Sequence, residues 1–449
     1  MDKKKLCLVF QLHQPFRLKR YRFFDIGNDH YYFDDFLNEQ YMRSAAERSY
    51  LPANKMIYDL IQESKGRVKV AFAISGTALD QIEMYTPELI DSFRKLTETG
   101  CVELLAEPYA HSLSSLAPSK AEFKGQVGMH VTALKAIFNY EPKVLRNTEL
   151  LFDDDIALAV SEMGFHGMLT EGAKHVLGWK SPDFVYQSAV VPELHLLMRH
   201  AALSEDLSRR FCDQSWDEYP LTADKYASWL ADRGKGEQVT YLDMSYDVLG
   251  NLCPASSGIF DFFRALPEYI ERAGLEMATP SEVFAQLRPE DEISVLDTIS
   301  WSEEEKTTKS WLGNILQQEA FGKLVEWAER TRMSGNRRIK QDWAYLQSSD
   351  HFLYMSTAME NKDSGLYSPY SSPYDAFNNY MNVLSDFHLR VEEEYPSSIE
   401  NEELNALLKT IENQGEEITT LQEELHKLRA EKSVKGMGTT KKAKQERES

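Results

Sequence analysis

The chain has 449 residues, 42% hydrophobic and 11% aromatic, enough for one large core with smaller units attached. Lysine and arginine total 50 against 71 acidic residues, a formal charge of -21, which disfavours nucleic acid and anionic membranes as main partners. Cys7, Cys101, Cys212 and Cys253 stand apart with no C-x-x-C spacing, which points to reduced thiols in the cytoplasm and to no zinc motif.

In chain order, the lysines at positions 3–5 ahead of the apolar run 6–12 have the outline of a signal peptide. That run is too short, and His13-Gln14 stands where a small-residue cleavage site belongs. It reads instead as a first strand, stopped by Pro15, with His13 at its tip. No run is long enough to cross a membrane. Residues 68–75 read as a second strand closing on Gly76, and a helix over 77–85 puts Asp80 and Gln81 just past its end. Residues 101–109 read as a third strand, with Glu103 and Glu107 on one face by alternation and His111 following.

Val144 and Leu145 end a short buried strand, and the polar cluster Arg146-Asn147-Thr148-Glu149 follows at once. Asp153, Asp154 and Asp155 then open a helix. A carboxylate at a strand's end, beside an arginine and an amide, is where α/β barrels hold catalytic groups. A helix-capping or salt-bridged glutamate fits the same local pattern. Residues 163–171, 193–198 and 239–244 supply further strands, and 178–186 reads as a loop with exposed aromatics, Trp179 among them. Strands alternating with helical spans predict a parallel α/β sheet or barrel over residues 1–275.

Beyond that point helices are expected over 281–287, 311–332, 336–346 and 373–395, forming a helical domain from 276 to 395. Leu404, Leu407, Ile411, Ile418, Leu421, Leu425 and Leu428 recur at heptad spacing, with polar Gln414 at one inner site. Residues 396–430 therefore read as a coiled coil through which copies self-associate, or as one amphipathic helix folded back on the domain. The tail 431–449 is polar, basic and expected to be disordered.

Three segments, in order, resemble glycoside hydrolase family 57 in its α-amylase-like branch. They are Phe10-Gln-Leu-His-Gln-Pro-Phe-Arg17, with its HQP motif, the R-N-T-E-L run of Arg146 to Leu150, and the stretch from Tyr354-Met-Ser-Thr357 to Ser-Pro-Tyr-Asp-Ala-Phe377. The resemblance implies a (β/α)7 incomplete TIM-like barrel followed by a helical domain, and a retaining mechanism on α-glucans or maltooligosaccharides without a cofactor or metal. That chemistry uses two groups flanking the glycosidic bond. Glu149 takes the nucleophile's position. His13, Gln14, Asp80, Glu107, His111, Arg146 and Trp179 are the candidate substrate contacts.

The fourth motif departs from the family's M-D-Y-E-x-F-G-E-H. With Gly258-Ile-Phe260 fixing the register, this chain reads Met244-Ser-Tyr-Asp-Val-Leu-Gly-Asn-Leu252, and the acid/base aspartate falls on Ser245. A shift of two would use Asp243 instead, at the loss of the Met, Tyr and Gly matches. Asp80 stands where the second motif often has a glutamate, Asn251-Leu252 replace the E-H pair, and Ala358 replaces a lysine. A serine hydroxyl is far too weak an acid to protonate a leaving group, and general acid/base work is worth roughly 10²–10⁴-fold. Alternation predicts Asp243, Ser245 and Asp247 on one side of the strand, so either aspartate is a candidate substitute.

Three readings follow: a glycosidase or glucanotransferase with a displaced acid, a glucan-binding or regulatory homologue without turnover, and a deacetylase-like metal enzyme. The last would use His13 and His111 as ligands but lacks the spaced Asp-Asp and H-x-x-x-H pair.

Overall fold

Every residue of the first strand except Gln11 is buried, because both of its faces are covered. In this strand, Lys5–Leu12 (β1), Cys7 and Val9 point into the barrel with Ala71, Ala73, Leu105, Val144, Leu169, Leu197, Val239 and Tyr241. Leu6, Leu8, Phe10 and Leu12 point outward into the layer of helices. The computed structural model describes residues 3–394, apart from 233, 235 and 359–367, together with residues 410 and 414. The expected coiled coil and basic tail lie outside the described residues, those two positions excepted.

The pairing closes a ring. β1 lies parallel between Val70–Ile74 (β2) and Val239–Ser245 (β8). β2 pairs with Val102–Leu104 (β3), and Ala106, just past β3, bridges Leu145 of Val144–Arg146 (β4). β4 pairs with Gly167–Glu171 (β5), β5 with His195–Arg199 (β7), and Arg199 with Tyr241 of β8. Seven parallel strands thus run round a TIM-like barrel, their C-terminal ends sharing one rim.

Three more strands join the sheet. Val185–Ser188 (β6) runs antiparallel to β7, Glu276–Met277 (β9) pairs parallel with the start of β1, and Asp291–Ile293 (β10) pairs with β6. One sequence expectation changes here. The stretch 178–186 is not all loop, since its end enters β6 and buries Tyr186 to 1% exposure. The sheet gains β9 and β10 beyond residue 275, outside the ring of seven. Strands of two to four residues on a rim carry no alternation to read.

The span 311–332 is three helices, Lys309–Leu312, Ile315–Glu326 and Ala328–Met333. Asn314 accepts from the Gln317 N–H and starts the second one afresh. Arg337–Leu346, Ser349–Leu353 and Pro373–Glu394 follow. Met1–His388 forms one compact unit and Leu389–Ser449 another.

Candidate active site

β4 ends at Arg146, and Asn147 turns the chain. The Asn147 side chain accepts from the Thr148 N–H and donates to Ser115 Oγ and to the Leu151 carbonyl. Past Thr148 the chain enters the left-handed region, Glu149 at φ 51° and Leu150 at φ 55°. For residues with a Cβ this costs about 1–3 kcal/mol each, and such strain gathers at functional sites.

The strained turn offers the Glu149 carboxylate to the rim. The Trp301 indole N–H donates to Oε2 at 2.5 Å, the Ser349 hydroxyl donates to Oε1 at 3.1 Å, and His111 Nε2 lies 3.4 Å from Oε1. The Glu149 side chain keeps 12% exposure, so a ligand can reach it. Burial alone would raise its pKa, but the hydrogen bond and charge of His111, with the Trp301 N–H, hold it below the usual carboxylate value.

His111 is also left-handed, at φ 51°, and only 1% exposed. Its Nδ1 sits 2.9 Å from Glu107 Oε2. Burial would lower its pKa, but the two carboxylates raise it to about 9, so the ring is a cation at neutral pH. His13 stacks on it, ring centres 4.3 Å apart. His13 in turn meets Ser75 Oγ at 2.7 Å and Asp350 Oδ2 at 2.8 Å. Burial pushes the Asp350 carboxyl up, while the charge and hydrogen bond of His13 pull it well below the usual range.

The end of β8 lies on the same rim, since Ser245 pairs with Gln11, whose amide touches His111 at 2.9 Å. Here a turn, not a longer strand, brings Asp247 beside Ser245. β8 stops at Ser245, and Tyr246–Val248 is a 3-10 turn capped by the Ser245 hydroxyl, which accepts from the Asp247 N–H at 3.2 Å. Asp243, two residues back in β8, is engaged deeper in the barrel. Arg146 donates to both of its oxygens at 2.8 Å, and the Tyr241 hydroxyl adds a third bond at 2.6 Å. At 4% exposure, with both oxygens taken, Asp243 is unsuited to reach a leaving group.

Asp247 is partly exposed, and its Oδ1 accepts from Tyr50 and Asn251. Its Oδ2 lies 3.4 Å from Ser245 Oγ. Burial raises its pKa above the usual aspartate value, against the hydrogen bonds of Asn251, Tyr50 and Ser245. Gly250 fixes the loop behind it. At φ 104° it packs against the Arg48 carbonyl, which a Cβ would meet at 2.2 Å.

Of the residues singled out from the sequence, Glu149, His111, Glu107 and His13 come together. Arg146, Gln14, Asp80 and Trp179 make no described contact with Glu149, and Glu107 meets it only through His111. Arg146, 2% exposed, is spent on Asp243. The Gln14 amide donates to Tyr50 and accepts from Arg17. Glu107 is fully enclosed and serves His111. Asp80 is held by the Tyr109 and Tyr345 hydroxyls, at 2.7 and 2.9 Å, with burial raising its pKa. Trp179 is 91% exposed on the turn after the helix Lys174–Leu177, and none of the described contacts of Glu149 involves it.

Sequence reasoning missed Trp301, Ser349 and Asp350. The one available signal was Ser348-Ser349-Asp350, a helix-start pattern four residues ahead of the Tyr354 motif. Among the described residues no three His, Cys, Asp or Glu side chains gather as a metal-holding group.

The family model described as Glycosyl hydrolase family 57 matches residues 7–296. A Methanocaldococcus jannaschii protein named "Putative alpha-amylase" is 37% identical over 400 residues, covering 86% of this chain and 84% of that one. The GH57 branching enzyme of Thermococcus kodakaraensis shares the fold with a TM-score of 0.62 at 12% identity, over 87% of this chain and 90% of its own. AmyC, an α-amylase of Thermotoga maritima, does so with a TM-score of 0.55 at 13% identity, over 88% and 98%. With the family match spanning well over half the sequence and a relative this close along most of its length, the chain belongs to glycosyl hydrolase family 57.

Proposed function

We propose that this chain is an α-amylase-type glycoside hydrolase that acts on an α-glucan or maltooligosaccharide by a retaining mechanism, slowly, because Ser245 stands at the acid/base position. The carrying observation is Glu149: a reachable carboxylate on the barrel rim, kept ionised, with Trp301, Ser349 and His111 fixing its two oxygens. In the first step it attacks the anomeric carbon, the glycosidic C–O bond breaks, and the departing oxygen takes a proton. Water then cleaves the glycosyl ester. Asp247 is the carboxyl best suited to give that proton, through the Ser245 hydroxyl beside it.

In this reading the protein works in the cytoplasm, needs no cofactor, nucleic acid or membrane, and self-associates through residues 396–430. The acidic surface and the heptad pattern support those points. One observation favours a second reading, a glucan-binding homologue without turnover: Asp243, the acid of the shifted register, is locked by Arg146.

Prolonged incubation of the full chain with maltooligosaccharides, followed by product analysis, decides between them. Shortened or rearranged oligosaccharides are expected, and binding with no product at any time establishes the second reading.

A further inference from the structure

We propose that His111 is the positioning residue of Glu149: enclosed between Glu107 and Glu149, it aims the nucleophile and does not grip the sugar. This rests on the reading of Glu149 as nucleophile. The placement carries it. His111 and Glu107 are 1% and 0% exposed, so neither side chain is free to meet a ligand. Glu107 Oε2 faces His111 Nδ1, its backbone N–H donates to His130, and its Oε1 has no hydrogen-bond partner among the described residues. A buried carboxylate held this way has His111 as its charge partner, and a buried anion without one is expensive.

His111 and Glu149 both occupy left-handed backbone. The rest of the fold holds two strained residues so that their side chains meet, an arrangement that packing alone does not require. The Ser349 N–H donates to the His111 carbonyl while the Ser349 hydroxyl donates to Glu149, so one residue locks both. The titratable and charged groups facing this pair are Glu107, His13 and Asp350, with Arg146 and His130 behind Glu107. The Gln11 amide nitrogen lies 2.9 Å from His111 Nε2, and an imidazolium there requires the amide turned so that its oxygen accepts the N–H.

The test uses an activated aryl α-glucoside, whose leaving group needs no proton, so the pH profile of kcat reads the nucleophile and its neighbours. In the wild type an acid limb is expected below pH 4.5, the ordinary glutamate value, and an alkaline limb near 9. His111→Gln should raise the acid limb by about one unit or more, erase the alkaline limb and lower kcat, with KM changed by less than about twofold. Glu107→Gln should bring the alkaline limb down by about one unit or more. A KM raised about tenfold by His111→Gln with both limbs in place makes His111 a sugar contact and overturns the proposal.

Histidine titration by NMR gives a readout independent of activity and of whether the His111 variant folds. One imidazole is expected to titrate near pH 9 in the wild type and lower in Glu107→Gln. If every histidine titrates below about pH 7, the ion pair does not exist and the proposal falls. A wild type without turnover that keeps the high-pH histidine supports the His111 pairing and counts against the nucleophile reading alone.

Discussion

Arg146 and Asp243 meet inside the barrel as a two-pronged fork, both bonds 2.8 Å, linking β4 to β8 across the ring. Both side chains are almost fully enclosed, at 2% and 5% exposure. Removing one partner of such a pair leaves the other charge buried and uncompensated, typically about 3–5 kcal/mol of destabilisation. Arg146→Met should therefore lower stability by about that amount in denaturant unfolding, whereas Arg146→Met with Asp243→Asn should recover much of it. A single substitution costing under about 1 kcal/mol sinks this account.

Much of this site could be read locally, and the rest could not for a definite reason. β1 and the β4 cluster announce themselves because a fully buried strand is a continuous apolar run and its polar tip is abrupt. Glu149, His13, Glu107 and His111 all lie at such tips. The groups that complete the Glu149 cradle, Trp301 and Ser349, come from 152 and 200 residues away, and no local pattern encodes that return. Asp243 and Arg146 misled for the opposite reason. Each has the residue type and spacing of a ligand contact, but the bond between them uses both, and only three-dimensional pairing reveals it.

Glu149 should form a covalent ester. An activated, fluorinated α-glucoside, whose glycosyl-enzyme hydrolyses slowly, is expected to add one sugar to the peptide containing Glu149. Glu149→Gln should remain unlabelled while still showing a cooperative unfolding transition. Peptide mass spectrometry checks both. Labelling of another carboxylate, or none in a protein that binds the probe, removes Glu149 from the nucleophile's role.

The Glu107, His111 and Glu149 cluster should leave a signature in stability against pH. The His111 pKa is raised from 6.5 to about 9, so its contribution is complete below 6.5 and lost as pH rises through 9. Glu107 and Glu149 are held below the ordinary 4.5, so theirs is present above that value and lost as pH falls through their folded values. The melting temperature should thus decline from about pH 7 to 10 in the wild type, and less steeply in His111→Gln. Calorimetry over that range measures it, and parallel alkaline slopes in the two proteins would falsify the assignment.

The sharpest prediction concerns Ser245. A nucleophile without its acid still attacks substrates whose leaving group departs unprotonated, so the wild type should be much faster on an aryl or fluoride α-glucoside than on a maltooligosaccharide. Ser245→Asp should raise the natural-substrate rate by up to the general-acid factor of roughly 10²–10⁴ while changing the activated-substrate rate little. Asp247 sets the background against which this is seen. Its carboxyl, pushed toward the protonated form by burial, lies beside the Ser245 hydroxyl. Asp247→Asn in the wild type should therefore remove what slow natural turnover exists. In the Ser245→Asp background the same change should matter less, because the new carboxyl reaches the leaving oxygen without a relay. Equal losses from Asp247→Asn in both backgrounds would mean that Asp247 only shapes the loop with Tyr50 and Asn251. No gain from Ser245→Asp, in a variant that still labels at Glu149, would place the acid elsewhere on the rim.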